Sequence, residues 1–155
     1  MLHIERFQVN MLQENCYVVS DETKECVIID CGAFYPEERT AITQYIKVNQ
    51  LKPVHLLVTH GHLDHNFGNN TIYQEFGLKP EVSAADENLM KGLAKQAETF
   101  YSSIGRTDFP GGSMFRIINS LRHLGQLPDE TQVLPGHGEY TSIGEELAHN
   151  PYMDR

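Results

Sequence analysis

The chain has 155 residues, a length that suggests one domain, and its 40% hydrophobic and 21% charged content is that of an ordinary folded protein rather than a disordered one. Its formal net charge of -9 argues against a broad nucleic-acid or anionic-membrane surface, which would need clustered Lys and Arg. Three short runs open the chain. Residues 4–9 alternate weakly, and residues 16–19 and 26–30 are rich in β-branched side chains. Polar clusters at Asn15 and at residues 20–23 separate them, so they read as short antiparallel strands.

Residues 36–49 place Ile42, Tyr45, Ile46 and Val48 at helical spacing, with Pro36 at a helix start. Residues 54–59 form a short apolar run suited to a buried strand. A short helix is expected from Asp64 to Glu75, a strand over residues 81–83 and a longer helix over residues 85–101, with Leu89, Met90, Leu93 and Ala97 on one face. Residues 103–112 are a loop, and Ser113 is a reasonable cap for a helix carrying Met114, Ile117, Ile118, Leu121 and Leu124. Residues 131–134 read as a strand, 135–138 as a turn, and a last helix starts near Ser142 or Ile143. The alternation of strands and helices implies an α/β architecture.

The three cysteines, Cys16, Cys26 and Cys31, contain no C-x-x-C pair and read as buried, reduced thiols, with Cys31 close in sequence to the candidate site. The first residues lack the basic stretch and apolar run of a signal peptide, and no apolar stretch is long enough to span a bilayer. The expectation is a cytoplasmic protein.

The chemistry concentrates in the string His60-Gly61-His62-Leu63-Asp64-His65. Imidazole nitrogens and a carboxylate within six residues suit zinc and related divalent ions. In an extended stretch alternate side chains share a face, so His60 and His62 suit one ion. A helix starting at Asp64 turns Asp64 and His65 toward a second. An ordinary polar loop with surface histidines would need neither the Asp nor the strand before it.

This string resembles the H-x-H-x-D-H motif of the metallo-β-lactamase superfamily. Asp30-Cys31-Gly32 resembles the Asp-x-Gly turn that precedes that motif, residues 104–109 resemble a loop of the small glyoxalase-II-like hydrolases, and residues 134–138 resemble the late Gly-His turn. The resemblance implies an αββα sandwich in a single domain over residues 1–155. It implies His60 and His62 on a first metal, Asp64, His65 and His137 on a second, and Asp30 orienting a ligand histidine by a hydrogen bond. The cofactor implied is one or two zinc ions, with iron as an alternative because the same ligands serve both. The reaction implied is attack by a zinc-bound hydroxide on a thioester or ester of a small molecule, with Asp64 orienting the water as well as binding metal.

Between the His60 cluster and the loop over residues 104–109, two elements of the family pattern have no match. One is a Pro-Gly-His turn giving the first metal its third ligand. The other is a Gly-Asp-Thr segment whose carboxylate bridges both metals. The sandwich is therefore expected to be truncated internally, near residues 100–103. Glu98 is a possible surrogate ligand, set against an exposed helix glutamate, and His123 is a weaker one. Arg106 could meet an anionic substrate or pair with Asp108. Lost strands would leave a sheet edge and an apolar face uncovered, which predicts a homodimer, exchange of elements between the copies being one way to form it. The alternative to a hydrolase is a catalytically impaired descendant that keeps the fold and a partial metal site as a binding or oligomeric module.

Overall fold

Strand β2, Glu14–Ser20, is the centre of the fold because nearly all of its side chains are buried, those on both faces included. The computed structural model describes residues 1–102 and 114–153, with the side chains of residues 99–118 left aside. It divides the chain into two compact units, Met1–Ile104 and Gly105–Arg155, each treated by itself below.

In the first unit, β1 (His3–Val9) and β3 (Glu25–Ile29) flank β2 antiparallel, as their turn-separated runs predict. The β1–β2 turn places Asn10 and Gln13 at φ 54 and 55, a left-handed backbone that Asn tolerates better than most residues. β4 (Lys52–Val58) then adds parallel to β3, and β5 (Pro80–Val82) parallel to β4. The sheet order is β1-β2-β3-β4-β5. Parallel neighbours need crossovers, and helices α1 (Pro36–Val48) and α2 (Asn69–Phe76) supply them.

Helix α1 starts where Pro36 presets φ. Glu38 accepts the otherwise orphaned amides of Phe34 (2.9 Å) and Tyr35 (3.0 Å) at that end. Ile42 and Ile46 of α1 and Ile72 of α2 pack onto Cys16, Val18, Cys26, Ile28 and Leu56 of the sheet. Each fully buried aliphatic side chain contributes about 1.5–3 kcal/mol, so this one face holds the unit together. Val48, placed on the apolar stripe of α1 by its spacing, is exposed instead, since it occupies the last turn.

Three expectations are corrected. β4 is not buried on both faces: Leu56 and Val58 are buried while His55 and Leu57 are exposed, the alternation of a one-sided strand. The helix expected from Asp64 is a single 3₁₀ turn, Leu63–His65, and α2 begins only at Asn69. Gly68 intervenes, its Cα packed so tightly that a Cβ there would lie 2.5 Å from Cys31 Sγ. The long helix of residues 85–101 is broken into a 3₁₀ turn, Ala84–Asp86, then α3 (Glu87–Lys91) and α4 (Leu93–Ser102), with Gly92 closing α3.

The second unit contains α5 (Met114–Leu124), the two-residue strands β6 (Gln132–Val133) and β7 (Thr141–Ser142), paired antiparallel, and α6 (Ile143–His149). The hydroxyl of Ser142 caps α6 by accepting the Glu145 amide at 3.2 Å. The expected loop over residues 103–112, with Arg106, and the cap at Ser113 lie outside the described residues. No helix among the described residues is long and apolar enough to cross a membrane.

Candidate metal centre

β3 and β4 run parallel and end side by side, so the residues that follow them emerge at one edge of the sheet. Such carboxyl ends are where open α/β sheets place their sites. Asp30 follows β3 at φ 52, and its amide donates to Leu57 O at 2.9 Å. Thr59 and His60 follow β4.

Asp30 is buried, and its carboxylate is the hub of the site. Oδ1 accepts the Thr59 amide at 2.8 Å, Oδ2 accepts the Thr59 hydroxyl at 2.7 Å, and Oδ2 lies 3.1 Å from His65 Nδ1. Burial pushes this carboxyl up, but the hydrogen bonds from His65 and Thr59 outweigh it and hold it below the usual carboxylate range. It is therefore ionised at neutral pH. Thr59 Oγ is also 3.0 Å from His60 Nδ1. A hydroxyl has one proton, and that of Thr59 goes to the carboxylate, so His60 Nδ1 is the donor in this contact. Asp30 thus backs His65 directly and His60 through Thr59. In both rings Nε2 is the nitrogen on the side away from this carboxylate and hydroxyl, and in His65 it faces Asp64 Oδ2 at 3.5 Å, an arrangement that suits ligand histidines backed by a carboxylate.

The ligand candidates converge within the first unit. The ring centroids of His60 and His62 are 4.5 Å apart, those of His60 and His65 4.1 Å, and His65 Nε2 is 3.5 Å from Asp64 Oδ2. Asp64 and His65 are buried, His60 and His62 half-buried. Burial pushes His60 down, reinforced by the neighbouring His65 and His62 and opposed by Asp30 and Asp64. Burial also pushes His62 down, with Asp64 opposing and His65 adding to it. Both rings are neutral at pH 7 and offer lone pairs, so this donor set of imidazoles and a carboxylate fits a divalent ion.

The backbone of this turn is held by three carboxamides. Asn66 Nδ2 donates to His62 O at 2.6 Å. Asn10 Nδ2 donates to Asp64 O at 3.0 Å, and Gln96 Nε2 to Gly61 O at 2.9 Å. Gly61 is needed for close approach rather than for a tight turn. It has no positive φ, but a Cβ there would lie 2.6 Å from Leu89 Cβ on α3.

Glu14 is the residue that sequence reading missed most completely. It is fully buried, and neither carboxyl oxygen makes a hydrogen bond of ordinary geometry. Burial first, then the nearby carboxylates of Asp30 and Asp64, push it up to about 10, so it is neutral at pH 7. It offers, with Asp30 and His65, a group of ligand-type atoms all within 4.8 Å of one another. A Cβ on Gly32 would lie 2.2 Å from Glu14 Oε2 and 2.0 Å from Asp64 O, which explains the glycine of the Asp-x-Gly turn. The only advance signal was a charged residue opening an apolar run. Thr59 could have been suspected from its place just before His60.

The remaining candidates are placed as follows. His137 is exposed in the turn between β6 and β7 of the second unit. Glu98 is exposed on α4. His123 is exposed on α5, its Nδ1 2.9 Å from Asn119 O of the same helix. Cys16, Cys26 and Cys31 are free and buried. A hydrogen bond with Cys31, then burial, push the Cys16 thiol well up, which suits a packing role.

The sequence profile of the metallo-beta-lactamase superfamily matches residues 9–117. Hydroxyacylglutathione hydrolase GloC of Haemophilus influenzae is 28% identical, over an alignment that takes in 99% of each chain. Probable metallo-hydrolase YqgX of Bacillus subtilis is 25% identical, with 96% of each chain covered. The alignment with GloC runs over 213 positions against 155 residues here, so an internal segment of the relative has no counterpart in this chain. Among solved structures, TTHA1623 in a di-iron-bound form superposes with a TM-score of 0.82 at 25% identity, covering 96% of this chain and 100% of that one. BLEG-1 B3 metallo-beta-lactamase gives 0.80 at 23% identity, covering 99% and 100%, a likeness of fold.

Proposed function

The chain belongs to the metallo-beta-lactamase superfamily, and on that premise we propose that it is a metal-dependent hydrolase of a small thioester or ester, of the glyoxalase-II type. The observation that carries the proposal is the Asp30 hub. One ionised carboxylate lies 3.1 Å from His65 Nδ1 and reaches His60 through the Thr59 hydroxyl, so a single buried group backs two of the clustered histidines, as a carboxylate behind metal ligands does. His60 and His62 would hold a first ion and Asp64, His65 and His137 a second, with zinc or iron as the metal. When bound, the ion supplies Lewis acidity: it acidifies water and polarises a carbonyl. The chain's own contribution is to keep His60 and His62 neutral, to fix the tautomers of His60 and His65, and to place the Asp64 carboxylate beside His65. There Asp64 orients the attacking water.

A second reading has its own support. An internal segment of GloC has no counterpart here, and loss of such a segment would account for the two family elements, the third ligand and the bridging carboxylate, that the sequence does not match. A descendant that keeps metal but not turnover fits that loss. Glu98, or a second copy of the chain in a homodimer, would restore the ligand count if the first reading holds. A cytoplasmic location is part of the same proposal. The test is elemental analysis of protein purified without a metal-affinity tag, paired with thiol release from a glutathione thioester. Turnover abolished by a chelator and restored by zinc supports the hydrolase. Bound metal with no turnover on thioesters or esters favours the second reading.

A further inference from the structure

The residues 60–65 turn carries the ligand side chains, yet two residues distant in sequence hold its backbone. Asn10 lies at the β1–β2 turn, is buried, and has every polar atom of its side chain engaged. Its Nδ2 donates to Gly32 O at 2.9 Å and to Asp64 O at 3.0 Å, and its Oδ1 accepts the Leu12 amide at 2.9 Å. Both amide protons and the carbonyl are used, so only this orientation of the amide satisfies the network. Its own amide donates to Glu38 Oε1 at 2.8 Å, which ties the same residue to the start of α1. From the opposite direction, Gln96 of α4 accepts the Leu63 amide at 3.0 Å and donates to Gly61 O at 2.9 Å and Leu89 O at 3.0 Å.

We propose that Asn10 and Gln96 are positioning residues of the ligand turn, acting on its backbone at Gly61, Leu63 and Asp64 rather than on the ligand side chains. Asn10 locks the turn to the Asp-x-Gly loop that carries Asp30, so the hub and the ligands it orients move as one piece. Gln96 locks the same turn to α4 and, through Leu89 O, to α3. Side-chain amides suit this task because a carboxamide is neutral. It can donate twice to carbonyls beside a cation without adding charge to the site. The proposal deepens the metal-dependent reading and rests on it for the role of residues 60–65.

The test uses the full chain and two variants on separate elements. Asn10→Gly removes the clamp while suiting the positive φ of that position, and Gln96→Ala removes the other. Amide hydrogen exchange on metal-free protein is expected to quicken about tenfold or more at His65 and Asn66, with exchange in α1 unchanged. Gln96→Glu, which keeps the acceptor for Leu63, should recover part of that protection. Cobalt binding should weaken by about tenfold in each variant, with an altered visible spectrum. Exchange within twofold of the parent at His65 and Asn66 removes that residue from the proposal. If the parent itself takes up no cobalt or zinc, the metal-dependent reading fails, while the exchange data still decide whether Asn10 and Gln96 hold the turn.

Discussion

Two turns of this chain carry histidines, and they are built in opposite ways. Residues 60–65 follow a strand of a five-stranded sheet, with Asp64 and His65 buried and the backbone held by three carboxamides. Residues 135–138 follow a strand of two residues in a two-stranded sheet, and His137 is exposed. The first turn has its backbone and its histidines tied to neighbouring elements by Asn10, Gln96, Asp30 and Thr59. The second is a short surface hairpin within its own unit. Preorganisation lowers the cost of ordering on binding, so metal affinity should depend on the supports of the first turn far more than on the local structure of the second.

The largest expected effect comes from filling the space between the supports. Gly32→Ala puts a Cβ 2.0 Å from Asp64 O and 2.2 Å from Glu14 Oε2. Backbone must shift, at about 1–3 kcal/mol or more, and urea denaturation should show that loss. A variant as stable as the parent would mean that the two loops are not locked together.

Removing the hub while keeping its shape comes next. Asp30→Asn is expected to lower zinc affinity by about 10- to 100-fold, measured by chelator competition. Thr59→Val should cost about tenfold by freeing only His60, and Thr59→Ser should stay close to the parent. Equal losses for Thr59→Val and Thr59→Ser would remove the hydroxyl from the account.

Glu14 gives the pH dependence. Its folded value is raised from 4.5 to about 10, so the folded state holds this proton more tightly than the unfolded chain. The stability it confers is fully present below pH 4.5 and is lost as pH climbs toward 10, at a limiting slope of about 1.4 kcal/mol per pH unit. Glu14→Gln is neutral throughout. In metal-free protein its melting temperature should exceed the parent's by a margin that widens from pH 5 to pH 9. A margin that is flat over this range would show that Glu14 is already ionised in the fold.

The smallest effect on stability belongs to the other turn. His137→Ala, at an exposed position, should shift unfolding free energy by no more than about 0.5 kcal/mol, while calorimetric zinc titration of the same protein reads its part as a ligand. His65→Ala, buried against Asp30, should cost several times more. Comparable costs would erase the contrast between the turns.

The sequence by itself determined the strand and helix order of the first unit, the cysteines as free buried thiols, and the group His60, His62, Asp64, His65 with Asp30 behind it. These were legible because hydrophobic periodicity and ligand spacing are local, and a motif of six residues carries its own geometry. It also pointed to a missing internal segment, which the longer alignment with GloC bears out. It did not reveal the one-sided burial of β4 or the division of the 85–101 helix. Those depend on which neighbour covers a face and on how closely α3 approaches Gly61. Nor did it reveal Glu14, Thr59, Asn10 and Gln96 as supports. Asn10, Gly32 and Asp64 are far apart in sequence, and only the ends of adjacent parallel strands and the β1–β2 turn bring them within hydrogen-bonding distance. Ligands can be read from composition and spacing, whereas the groups that orient them are chosen by tertiary proximity, for which a single sequence holds no local sign.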